Sequence, residues 1–88
     1  MRAFMGLSSI PVQIDSISCG GITLRVPDLR EIRRSEVPLV ELVNDAGTFR
    51  RLVKMEIIQI EPNPKGWYSI TGKLVTPLGD EDLTALRS

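Results

Sequence analysis

Ile10-Pro11-Val12-Gln13-Ile14-Asp15-Ser16-Ile17-Ser18-Cys19-Gly20-Gly21-Ile22-Thr23-Leu24-Arg25-Val26 is the stretch on which the fold turns. Ile10, Val12 and Ile14 alternate with Pro11, Gln13 and Asp15, and Ile22, Leu24 and Val26 alternate with Thr23 and Arg25. Side chains along a strand point to opposite faces in turn, so this alternation describes two strands, each with one apolar face. Cys19-Gly20-Gly21 separates them and predicts a tight turn, because glycine tolerates positive φ. The pair reads as a β-hairpin, with Pro11 suited to an edge position.

The same alternation continues beyond the hairpin. Pro27 to Pro38 is a polar connection carrying Arg30, Arg33 and Arg34, and Val37 to Val43 is a short apolar strand. Asn44-Asp45-Ala46-Gly47 is a turn signal. From about Phe49 to Glu61 runs a long strand with Val53, Met55 and Ile57 on one face. Its apolar phase slips by one between Ile57 and Ile58, after which Ile58 and Ile60 continue the apolar set. A β-bulge absorbs such a slip and bends the strand, and bent strands are what a small closed barrel needs. Pro62 to Gly66 reads as a hairpin loop, followed by a strand in which Tyr68, Ile70 and Leu74 share a face. Gly72 interrupts that face and marks a bend or a close backbone approach. In Pro77 to Leu86, Asp80 is placed to cap a helix whose Leu83 and Leu86 share a face. The expected architecture is all-β: a small antiparallel barrel of about five to six strands with a short C-terminal helix. Residues 10–88 form the barrel domain, and residues 1–9 read as an N-terminal arm whose order the pattern leaves open.

Composition narrows the function. Lys+Arg is 11 and Asp+Glu is 11, so the net charge is zero, which argues against a general nucleic-acid binder. Histidine is absent and Cys19 stands alone. The commonest general base, an imidazole metal ligand, an internal disulfide and a histidine-activated thiol are therefore all missing. Asp80-Glu81-Asp82 is better suited to complementing a helix dipole than to binding a cation. The expectation is a non-enzymatic protein without metal or cofactor. No apolar run is long enough to span a bilayer. Met1 to Ser9 lacks the apolar core and cleavage site of a secretory signal, which points to a cytoplasmic protein.

Taken in order, Ser18-Cys19-Gly20-Gly21-Ile22-Thr23-Leu24, then Gly66-Trp67-Tyr68-Ser69-Ile70-Thr71-Gly72-Lys73-Leu74, then Pro77-Leu78-Gly79-Asp80-Glu81-Asp82-Leu83, resemble a bacterial PilZ domain. The resemblance covers roughly Val12 to the C-terminus. It implies a six-stranded antiparallel barrel and, in many members of that family, binding of cyclic di-GMP. The family's ligand signature joins Arg-x-x-x-Arg in an N-terminal arm to Asp/Asn-x-Ser-x-x-Gly at the first hairpin. Paired guanidiniums can stack on guanine and donate to its edge or to phosphate, and the glycine admits a close backbone approach.

This chain departs from both halves of the signature. Ser18 and Gly21 match, but Ser16 stands at the Asp/Asn position, and a hydroxyl accepts more weakly than a carboxylate. Asp15 is adjacent, yet alternation turns it to the other face unless the register slips. Only Arg2 precedes the hairpin, with Gly6 where its partner would stand. Arg30-Glu31-Ile32-Arg33-Arg34 contains the spacing but follows the turn. The candidate ligand residues are therefore Arg2, Ser16, Ser18, Gly20 and Gly21. Arg30, Arg33, Arg34 and Trp67 are candidates for phosphate or partner contact. The resemblance implies a signalling or adaptor module working through a protein partner. A cyclic di-GMP receptor is the alternative, and an SH3-like or OB-like barrel binding RNA is a third reading, against which the charge balance and 5% aromatic content argue. No nucleic-acid partner and no membrane insertion are expected. Leu83 and Leu86 are read as sealing the barrel, with a homodimer contact as their alternative use.

Overall fold

The computed structural model describes residues 1–6, 8–29 and 37–88. Six strands and one helix follow in chain order: β1 (Arg2–Met5), β2 (Ile10–Ile17), β3 (Gly21–Val26), β4 (Leu39–Val43), β5 (Arg50–Pro62), β6 (Tyr68–Leu74) and α1 (Asp80–Leu86). All pairings are antiparallel, and the strands close into a barrel in the order β1-β2-β3-β6-β5-β4. The all-β barrel with a C-terminal helix is thus the fold that the alternation implied.

Two strands each serve both halves of the barrel. In β2, Ile10 to Val12 pair with β1, while Gln13 to Ile17 pair with β3. In β5, Arg50 to Lys54 pair with β4, while Met55 to Pro62 pair with β6. The molecule is therefore two four-stranded sheets joined at two corner strands, the arrangement that lets a short sheet fold back on itself. A register shift lies just past each corner. One leaves Asp15 unpaired between Ile14 and Ser16, and the other leaves Ile58 unpaired between Ile57 and Gln59. The second is the bulge that the phase slip at Ile57/Ile58 announces. Ile58 is carried outward, 66% exposed, and Ile60 is 39% exposed. Neither extends the apolar core as the sequence suggests, because the bulge spends Ile58 on the bend and Ile60 lies toward the far end of the strand.

Strand β1 revises the reading of residues 1–9 as an arm. Ala3 and Met5 are buried, and β1 is hydrogen-bonded to β2 on one side and β4 on the other. Its four residues are too few to display an alternation, but they supply the edges that β2 and β4 would otherwise leave open.

The core gathers Met5, Leu24, Leu42, Met55, Ile70 and Leu74, all essentially inaccessible, and Leu78, Leu83 and Leu86 join the same cluster. Burying such a side chain contributes about 1.5–3 kcal/mol. Leu83 and Leu86 thus seal the barrel, as their shared helix face implies. Asp80 is the first helical residue rather than the cap. The cap is Gly79, whose backbone N–H donates to the Asp82 carboxylate at 3.3 Å. Arg51 Nε donates to the same carboxylate at 3.1 Å and ties α1 to the start of β5. The β4–β5 turn is built around buried Asn44, whose Oδ1 accepts from the Thr48 and Phe49 amides at 2.9 and 3.0 Å. Gly47 in that turn has φ of 74°, a conformation that favours glycine.

Gly72 makes the close approach its position implied. A Cβ there would overlap Cγ and Sδ of Met55 and lie 3.1 Å from the Glu56 carbonyl oxygen. Met55 has no accessible surface, so it has nowhere to retreat. Gly72→Ala is expected to destabilise the barrel by about 1–3 kcal/mol through overpacking. Gly20→Ala, which meets nothing within 4 Å, is expected to stay within about 0.5 kcal/mol of the parent. Urea midpoints of the two variants check this; equal midpoints would refute it.

Candidate functional site

The outer face of β2, β3, β6 and β5 carries a polar row set by register. Ser16 pairs with Thr23, Thr23 with Thr71, and Thr71 with Gln59. The Thr23 and Thr71 hydroxyls lie 3.5 Å apart. A depression of about 390 Å³ opens beside this row, and Ser16, Ser18, Gly20 and Gly21 all line it, together with Ile58 and with Lys73, the cross-strand partner of Gly21. Four of the five ligand candidates are therefore brought together. The fifth is not. Arg2 lines a separate depression with Phe4, Pro11 and Gln13, and its guanidinium lies near Gly47 in the β4–β5 turn. The Asp45 carboxyl in that turn is held below its usual range, first by a hydrogen bond from the Met1 ammonium and only weakly by Arg2.

The Ser18 side chain serves the turn. Its hydroxyl accepts from the Gly21 amide at 3.2 Å, and the Ser18 amide donates to the Gly21 carbonyl at 2.9 Å. Neither Gly20 nor Gly21 has positive φ, contrary to the turn geometry first inferred for this pair. A Cβ at Gly21 would make an ordinary contact, 3.4 Å from the Gly72 carbonyl oxygen on β6. The Gly20 carbonyl accepts from Leu74, and the Cys19 carbonyl accepts from Leu78 at 2.7 Å, so the turn is held against the chain leading to α1.

Asp15 sits at the register slip, and its carboxylate lies 3.2 Å from the Arg25 guanidinium. It does not line the depression by the turn. Arg25 in turn covers the Trp67 ring, with its guanidinium carbon 4.2 Å from the centroid. Trp67 is half-buried, and its carbonyl accepts from Asn63 at 2.8 Å across the β5–β6 loop. One face of the ring is thus covered by Arg25. Arg25 was not among the residues singled out from the sequence. Alternation places it on the outer face opposite Gln13 and Ser69. The apolar phase change from Ile14 to Ile17 carries the signal for the bulge that delivers Asp15 to it. Arg30, Arg33 and Arg34 lie outside the described residues.

Among the described residues, Lys73 is the cation on the wall of the Ser16–Gly21 depression. No group of three or more potential metal ligands occurs among them, and no helix among them is long and apolar enough to cross a membrane. No family model, curated protein or solved structure matches the chain.

Cys19 Sγ donates to Asp80 Oδ1 at 3.4 Å. That hydrogen bond, with smaller contributions from desolvation and the carboxylate charge, holds the thiol pKa above its ordinary value. The neutral thiol is therefore the form present near neutral pH, and it is a poor nucleophile. Asp80→Asn is expected to lower the thiol pKa and speed alkylation of Cys19 by iodoacetamide at mildly alkaline pH. An unchanged or slower rate would refute the assignment.

Proposed function

We propose that this chain is a non-enzymatic signalling or adaptor barrel, similar to PilZ domains, that works through contact with another protein and lacks strong affinity for cyclic di-GMP. One observation carries this reading. The depression beside the first hairpin gathers Ser16, Ser18 and Gly21 without Arg2, and its one cation among the described residues is Lys73. A lysine is a point charge and cannot reproduce the paired, planar donors that guanine and phosphate recognition draws on. Ser18 is engaged within its own turn, and Asp15, the nearest carboxylate, is engaged with Arg25. Charge-assisted hydrogen bonds contribute about 1.5–3 kcal/mol each, so lacking two guanidinium contacts weakens binding by roughly two to four orders of magnitude.

The alternative, a functional cyclic di-GMP receptor, has support from the same depression, because Ser16, Ser18, Gly20 and Gly21 converge there. Calorimetric titration separates the two readings. The expected result is no saturable heat with cyclic di-GMP at about hundreds of micromolar, from protein shown to be folded, with GTP as control. Low-micromolar binding that Ser16→Ala abolishes, without loss of folding, would establish the receptor and overturn the adaptor reading.

A further inference from the structure

We propose that α1 positions the β2–β3 turn and with it the wall of the depression beside the first hairpin, so that the helix and the depression are linked. Ile17, Ser18, Gly20 and Gly21 all line that depression. The chain from the end of β6 through α1 holds the same stretch at four points. The Leu74 amide donates to the Gly20 carbonyl at 3.0 Å, and the Leu78 amide donates to the Cys19 carbonyl at 2.7 Å. Cys19 Sγ donates to Asp80 Oδ1 at 3.4 Å, and the Arg87 guanidinium donates to the Ile17 carbonyl at 3.5 Å. Asp80 begins α1 and Arg87 is its C-cap, so both ends of the helix reach the turn.

Ser18, Cys19 and Gly20 belong to no strand, so no ladder fixes them. The turn's own bonds are two: the Ser18 amide to the Gly21 carbonyl, and the Gly21 amide to the Ser18 hydroxyl. The rest of its hold comes from the segment that ends in α1. A helix of seven residues does not persist by itself. Its place is set by Leu83 and Leu86 in the core and by Asp82, which accepts from the Gly79 amide and pairs with Arg51 on β5. Loosening α1 at Asp82 therefore loosens the turn, and loosening the turn loosens α1, because a coupling free energy acts in both directions. The link does not depend on which molecule fills the depression.

Amide hydrogen exchange of the full chain, resolved by residue, tests it in both directions. Asp82→Ala removes the acceptor for the Gly79 amide and the pair with Arg51, neither of which touches the turn. It should speed exchange of the Ser18 and Gly21 amides by about fivefold, the size of a lost helix cap. Ser18→Ala removes a bond internal to the turn and should speed exchange of the Leu78 and Leu83 amides, which donate to the Cys19 and Gly79 carbonyls. The Thr48 and Phe49 amides, held by Asn44 in the β4–β5 turn, are the control and should not change. Faster exchange confined to α1 in Asp82→Ala, or confined to the turn in Ser18→Ala, would overturn the proposal. So would an equal increase at Thr48 and Phe49, which would mean that the whole barrel opens.

Discussion

Everything in this barrel depends on two strands that belong to both of its sheets. An 88-residue chain has little apolar surface to spare, and a flat sheet would leave one face of it in water. Passing β2 from β1 to β3, and β5 from β4 to β6, wraps the apolar face around a single core. The bulges at Asp15 and Ile58 lie just past these corners and supply the bend. The helix then covers the end marked by the β2–β3 turn, with Leu83 and Leu86 completing the core.

The bulges also shape the outer surface. Each removes one residue from the ladder and re-aims its side chain. At β5 this places Ile58 among the residues lining the depression beside the first hairpin. At β2 it brings the Asp15 carboxylate to Arg25, which then covers Trp67. The hairpin residues that resemble a ligand motif thus sit beside a carboxylate that is engaged elsewhere. Fold and motif resemblance are separable here, because a turn can keep Ser18 and Gly21 for reasons of its own geometry.

Much of the architecture was legible in the sequence, and physical reasons mark where legibility stopped. Period-two alternation located β2, β3 and β6, since half-buried strands write their faces directly into residue order. The slip at Ile57/Ile58 located a bulge, and Gly72 located a close approach. Strand β1 escaped notice because Arg2 to Met5 offers only two buried positions, and β4, one of its two partners, is distant in sequence. The candidate site was legible as a turn but not as a set. Nothing in the order of residues says that Arg2 faces the β4–β5 turn, or that Ser18 closes its own hairpin. Those are facts of three-dimensional neighbourhood.

The shared strands also bear on how the molecule comes apart. Neither sheet can open without stripping hydrogen bonds from β2 or β5, and those same strands hold the other sheet in place. Opening one sheet therefore costs hydrogen bonds in the other, which favours cooperative opening of the barrel. Its ring closes only when β1 finds β4, where Arg2 meets Val43, and β3 finds β6, where Gly21 meets Lys73. Both encounters join segments far apart along the chain, and each closure costs loop entropy. Non-local pairing of this kind makes slow folding the expectation for a barrel turned at two corners.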